Sequence, residues 1–145
     1  MNIRMIQEGD FEQWLVLWQG YLDFYNVDLG ELQNRAVWMR LMNEADPLQG
    51  FVAVEDDRVI GFAHFFFHGT TWYQTSYCYL EDLYVDQMVR SRGTGRALIT
   101  ALQETALSKG AAKLYWHTDK QNKTAQALYN KVADLTDFIR YDIAL

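Results

Sequence analysis

The stretch LEDLYVDQMVRSRGTGRAL, from Leu80 to Leu98, decides how this chain is read. Its first six residues alternate aliphatic, acidic and aromatic side chains and suit a strand that ends near Val85. Asp86–Arg92 is polar and has no period, so it reads as a loop. Gly93 and Gly95 follow, and a helical pattern begins at once. Glycines at such a junction let the backbone approach an anion closely. The free N–H groups and positive end of the new helix favour phosphate. Arg90, Arg92 and Arg96 add guanidinium donors of the right geometry. A Walker A loop is excluded, because no Lys-Ser/Thr pair follows. A Rossmann fingerprint is excluded as well, because its third glycine is replaced by Leu98. A lone G-x-G fits an ordinary capped helix equally well; the strand, the arginines and the long helix make the combination specific.

Working downstream, Thr94–Lys109 sets Leu98, Ala101, Leu102, Thr105 and Ala106 on one face, with Gly110 placed to end the helix. Lys113–Thr118 reads as a strand, Asn122–Val132 as a helix and Phe138–Ile143 as a final alternating strand. Upstream, Ser76–Val85 is a long strand. Phe51–Val54 and Arg58–Phe67 form a hairpin about Asp56-Asp57. Phe11–Phe24 and Glu31–Asn43 are amphipathic helices. The first has Asp10 as N-cap and Gln13 as its capping-box partner, and the second ends before Pro47. Asn2–Ile6 is a short first strand. The order β-α-α-β-β-β-α-β-α-β predicts an α/β fold: a mixed, mainly antiparallel twisted sheet flanked by helices. The 145 residues show no linker or repeat and are expected to form a single domain, 1–145.

Composition narrows the function. Half of the residues are hydrophobic and 22% are charged, which excludes disorder. The net charge of −6 disfavours a basic nucleic-acid binder. That sum hides a split: residues 1–85 carry 4 basic and 13 acidic side chains, residues 86–145 carry 9 and 6. The halves are suited to partners of opposite charge. Cys78 is the only cysteine, so an intramolecular disulfide and a cysteine zinc site are excluded. No metal is expected from His64, His68 and His117, which lack any helical ligand spacing. No signal peptide or membrane span is read, and a reducing cytoplasm is the expected compartment.

The sequence resembles the GNAT family of N-acetyltransferases. Arg90-Ser91-Arg92-Gly93-Thr94-Gly95 matches that family's (Gln/Arg)-x-x-Gly-x-(Gly/Ala) loop. LEDLYV (80–85) is similar to its fourth strand, and YWHTDKQNKTAQALYNKVA (115–133) to its fifth strand and following helix. Within the family, the likeness is to the diamine and amino-acid acetyltransferase branch. The chain departs in two places. Asp86-Gln87-Met88 lacks a common proline, and Val132-Ala133 stands where a Gly-Phe pair is usual, which puts the register of the last strand in question.

The resemblance implies the rest. Backbone N–H groups of Arg90, Ser91, Arg92, Gly93, Thr94, Gly95 and Arg96 would cradle the coenzyme A pyrophosphate. Splayed central strands would leave Leu83, Tyr84 and Val85 free for the pantetheine arm, and a strand N–H would stabilise the acetyl oxyanion. Glu81 would be the general base, on the same face as Leu83, with Asp82 facing the other way. Tyr129 would be the general acid, and Asn122 would bind the pantetheine or orient the site. The implied activity is transfer of acetyl from acetyl-CoA directly to a cationic primary amine: a polyamine, an amino acid, an aminoglycoside-like molecule or a lysine side chain. A non-catalytic acyl-CoA sensor is the alternative. Tyr21, Phe24 and Tyr25, with acidic Asp23, Asp28 and Glu31, could face the acceptor. Cys78 reads as a buried apolar residue, not a nucleophile. Relatives commonly pair, and Phe138–Ile143 offers an apolar edge suited to a homodimer.

Overall fold

Five strands form one sheet in chain order, from β1 (Asn2–Met5) through β2 (Gln49–Glu55), β3 (Arg58–Gly69) and β4 (Ser76–Val85) to β5 (Lys113–Tyr115). The computed structural model describes residues 1–90 and 92–145. The first three strand pairings are antiparallel, and β4 pairs parallel with β5. Asp56 and Asp57 turn β2 into β3 in left-handed conformations (φ 48° and 61°), which short polar side chains tolerate and which match the twist of a hairpin.

Alternation along the strands builds two cores. Phe51, Ala53, Ala63, Phe65, Cys78 and Leu80 face one way and meet Leu98, Ile99, Leu102 and Ala106 of α3 (Thr94–Ser108). Leu128, Tyr129 and Val132 of α4 (Lys123–Val132) pack against that layer. Val52, Phe62 and Tyr84 face the other way, under Trp14, Leu17, Trp18 and Leu22 of α1 (Phe11–Phe24) and Val37 of α2 (Gly30–Met42). Trp14 is fully buried, and truncating a tryptophan in such a place costs about 3–5 kcal/mol.

Three expectations need correction. Asp10 does not cap α1. Its carboxylate accepts two bonds from Arg4 (2.7 and 2.9 Å) and one from the Gln7 amide (2.8 Å), which ties β1 to a short 3-10 turn before the helix. β5 stops at Tyr115, three residues earlier than expected, because β4 diverges from it there. Phe138–Ile143 forms no strand. Phe138, Ile139, Tyr141 and Ile143 are 70–87% exposed, because an alternating segment becomes a strand only beside an edge it can pair with.

Candidate active site

The site begins with an irregularity in β4. Leu80 sits opposite Phe65 and Asp82 opposite His64, so Glu81 is the extra residue of a β-bulge. The bulge resets the alternation. Before it, Cys78 and Leu80 face α3; after it, Leu83 and Val85 do, while Tyr84 turns to α1. Asp82, opposite His64, therefore faces the α1 side. Glu81 shares that side, within electrostatic reach of Arg40 on α2 and of His64. The expectation that Asp82 faces away from Glu81, and that Glu81 shares a face with Leu83, is thus wrong. Simple period two fails at a bulge.

Asp82 is held by a buried chain of hydrogen bonds. The Trp14 indole donates to His64 Nε2 (3.0 Å), and His64 Nδ1 lies 2.9 Å from Asp82 Oδ2. An indole only donates, so Nε2 must accept, and the ring proton sits on Nδ1 and points at the carboxylate. His64 is fully enclosed and Asp82 nearly so. Glu81 itself is exposed, but partial desolvation raises its carboxyl above the usual range, and the adjacent Asp82 raises it further. The Tyr21 phenol is likewise driven up by burial first and by Asp82 next. Tyr25, at the end of α1, is raised by burial, then by Asp119 and Asp82. Tyr21 and Tyr25, at the C-terminal end of α1, thus lie within electrostatic reach of Asp82.

The second component is an opening between strands. β4 and β5 pair only from Tyr77↔Lys113 to Tyr79↔Tyr115. Beyond that point, Leu83, Tyr84 and Val85 pair with β3 on one edge and with no strand on the other. The last rung is marked by Tyr79 and Tyr115, stacked at 4.9 Å, with the Tyr79 hydroxyl 3.1 Å from His117 Nδ1. Tyr115 also meets His68 at 2.6 Å. This aromatic and histidine cluster, on the Glu81 side of the opening, was not legible as a site. Its members come from three segments that only the sheet register brings together.

The glycine loop closes the end of the opening. Asp86 accepts from the Met88 amide (2.9 Å) and pairs with Arg58. Gly93 holds φ +84°, a left-handed conformation, and starts α3. At Gly95 a Cβ would come within 3.3 Å of Leu128, so glycine there lets α4 approach the loop. Thr94 is buried, and the N–H groups of Thr94, Gly95 and Arg96 belong to the unpaired first turn. This cradle fits a phosphate-bearing group. Arg90 does not extend from it: its Nε donates to Val85 O (3.1 Å) and its guanidinium lies over Tyr84 and Phe24. Arg92 stands 3.8 Å from Glu55. Ser91 lies outside the described residues.

Tyr129 reaches the opening from the α3 side. Its ring meets Trp116 edge-on at 5.3 Å, and burial pushes its phenol up to about 12, with Tyr25 a further cause. Tyr25 therefore lies within electrostatic reach of both Tyr129 and Asp82. Asn122 caps α4, its Oδ1 accepting from Ala125 N (3.2 Å). Cys78 is fully buried in the α3 core and its thiol is pushed up to about 11 by burial, which suits packing and not nucleophilic attack. Among the described residues, no group of three or more His, Cys, Asp or Glu could hold a metal ion, and no helix is long and apolar enough to cross a membrane.

Comparison with known proteins agrees with this geometry. The sequence model of the acetyltransferase (GNAT) family matches residues 10–133. The D-amino-acid N-acetyltransferase of Saccharomyces cerevisiae is 34% identical over 96% of this chain and 88% of its own length. An aminoglycoside N(6′)-acetyltransferase of Salmonella enteritidis is 28% identical over 89% and 88%. An aminoglycoside N-acetyltransferase solved with CoA superposes with a TM-score of 0.84 at 22% identity, over 99% of this chain and 93% of that one, and shares the fold.

Proposed function

The chain belongs to the GNAT acetyltransferase family, and from that premise we propose which residues carry the reaction and what it acts on. The protein is an N-acetyltransferase that moves an acetyl group from acetyl-CoA to an amine; the sensor alternative has no support among the relatives, which are named for catalysis. In our reading residues 1–145 act as one domain, in the cytoplasm and as a homodimer. The acceptor in this reading is a small cationic amine; the relatives' names, which refer to D-amino acids and aminoglycosides, support a small amine. The acidic surroundings of Glu81 and Asp82 support this, as do the aromatic walls of Tyr21, Tyr25 and Tyr79.

Acetyl-CoA supplies an activated thioester. The Gly93–Arg96 turn would hold its phosphates, and the free edge of Leu83–Val85 its pantetheine arm. Glu81, its carboxyl raised above the usual range by partial desolvation and by Asp82, removes a proton from the arriving ammonium, directly or through water. Asp82 is fixed beside it by His64 and keeps the amine oriented. A β4 backbone N–H faces the developing oxyanion. Tyr129 keeps its proton at neutral pH and delivers it to the departing thiolate. The observation that carries this reading is the opening itself: β4 and β5 part immediately before the bulged Glu81, and the glycine cradle lies at the end of the same unpaired edge. The test is release of free thiol from acetyl-CoA in the presence of amino acids, polyamines, aminoglycosides and basic peptides. Turnover of one cationic class above the others is expected. Equal turnover in Glu81→Gln and Tyr129→Phe would overturn the assigned roles.

A further inference from the structure

The side chain of Arg90 turns back from the glycine loop onto β4, and the atom it reaches has a particular place in the sheet. The Asp86 amide donates to Ile60 O (2.8 Å), and Val85 lies opposite Gly61 of β3. Peptide groups alternate between the two edges of an antiparallel strand. Asp86 and Tyr84 therefore turn theirs toward β3, and Val85 and Leu83 turn theirs toward the opening. The Val85 carbonyl is thus the last acceptor on the free edge before the chain leaves the sheet. Arg90 Nε donates to it at 3.1 Å.

Aromatic rings hold the rest of the guanidinium. It lies 5.3 Å from the centre of the Tyr84 ring and 6.0 Å from that of Phe24. The Tyr84 ring is fixed in turn. It is buried, it meets Tyr21 edge-on at 6.3 Å, and its hydroxyl lies under Gly20, where a Cβ would come within 2.7 Å. Gly20 and Phe24 stand one turn apart on α1. Arg90 thereby ties together the loop that carries it, the end of β4 and the C-terminal turn of α1. All of these contacts would be lost if the guanidinium swung out to clamp a phosphate.

We propose that Arg90 is a positioning residue: it splints the glycine turn to the β4 edge through the Val85 carbonyl and is not a ligand of the coenzyme A phosphates. The inference rests on the acetyl-CoA reading above and assigns one part of that site. The pantetheine arm and the pyrophosphate belong to one molecule. The edge that takes the arm and the turn that takes the phosphates must therefore stand at a fixed separation. Arg90 sets it. What the role requires is a donor at the Nε position and not a charge. Glutamine carries an N–H donor the same number of bonds from Cα, without the charge. Lysine carries the charge, with a methylene at that position.

Titration calorimetry with CoA, and amide hydrogen exchange of the ligand-free chain, test this on Arg90→Gln and Arg90→Lys. Arg90 is exposed, so both variants fold, and circular dichroism verifies it. Arg90→Gln should bind CoA within about threefold of the parent, and Arg90→Lys roughly tenfold more weakly. Without ligand, the Val89 and Ala97 amides, which donate to Asp86 O and Gly93 O on either side of the loop, should exchange faster in Arg90→Lys alone. The reverse order of affinities, with exchange unchanged in both variants, makes Arg90 a phosphate ligand and overturns the proposal. Equal losses in both variants, or none in either, overturn the bond to Val85 as the working contact. A parent chain that binds no CoA overturns the acetyl-CoA reading instead, and the exchange comparison still decides whether Arg90 splints the turn.

Discussion

Trp14 and His64, fifty residues apart in sequence, are joined by a 3.0 Å hydrogen bond in the core, and His64 passes it on to Asp82. The bond fixes which nitrogen of His64 holds the proton, and so how Asp82 is held beside the amine. Trp14→Phe keeps an aromatic ring but removes the donor. It leaves a buried acceptor unpaired, a loss of about 1–3 kcal/mol beyond that of the missing ring volume. Urea unfolding should show that loss. The KM for the amine should rise more than the KM for acetyl-CoA, because the loosened carboxylate faces the acceptor.

Glu81 combines a catalytic advantage with a stability cost. Partial desolvation and Asp82 raise its carboxyl in the folded protein above the unfolded value. A carboxyl raised in this way favours folding at low pH, and that contribution is lost as pH rises through its folded value. Glu81→Gln removes the ionisation. We expect its stability at neutral pH to equal or exceed that of the parent, with the advantage vanishing in acid. Its kcat should fall by ~10²–10⁴, as for a lost general base. Thermal unfolding across pH and initial rates at saturating substrates measure the two effects. A variant both inactive and less stable at neutral pH would contradict this account.

How far the sequence reveals this site depends on whether a feature is local. Gly93 and the turn into α3 are local chemistry and stand where LEDLYVDQMVRSRGTGRAL implies. The helix Phe11–Phe24 and the strand Ser76–Val85 match the structure residue for residue, because periodicity reports burial on one face. The bulge at Glu81 depends on register with β3, and nothing in LEDLYV announces it. Period two therefore puts Asp82 on the wrong face, and nothing local in the sequence pairs it with His64 or, through His64, with Trp14. Arg90 shows the same limit: a cationic residue in a phosphate loop was assigned by spacing, but its side chain folds back onto the Val85 carbonyl and the Tyr84 ring. Phe138–Ile143 alternates as a strand should, but alternation cannot supply the neighbouring edge.

Gly93 begins α3 in a conformation that other residues reach with strain (φ +84°), while no atom lies within 4 Å of where a Cβ would be. Gly93→Ala should thus cost only the backbone term, ~1–2 kcal/mol. If the chain relieves that strain by shifting the turn, the N–H groups of Thr94 and Gly95 move with it. The expected kinetic signature is a higher KM for acetyl-CoA with the amine KM unchanged. Isothermal titration with CoA gives the same comparison without turnover.

The pairing of Asp10 with Arg4 bears on acid stability and not on the reaction. The guanidinium holds the Asp10 carboxyl below its usual range, helped by the Gln7 amide. A lowered carboxyl stabilises the fold above its unfolded value, and that stability is lost as pH falls through the folded one. Asp10→Asn should therefore lower the Tm at neutral pH and converge with the parent in strong acid, with kcat unaltered. The comparison of Tm against pH for the two proteins decides it.

Tyr129 is held protonated by burial, its phenol up at about 12, so it contributes no titration to the rate between neutral pH and mild alkali. Its role is to hand a proton to a departing thiolate, and the need for that proton depends on how acidic the thiol is. Tyr129→Phe keeps the edge-on contact with Trp116 and should fold with stability within about 1 kcal/mol of the parent. With acetyl-CoA its kcat should fall by at least ~10². With acetyl donors built on more acidic thiols the deficit should shrink, because a better leaving group departs without the proton. A deficit that stays constant across such donors would make Tyr129 a positioning residue and move the general-acid role elsewhere.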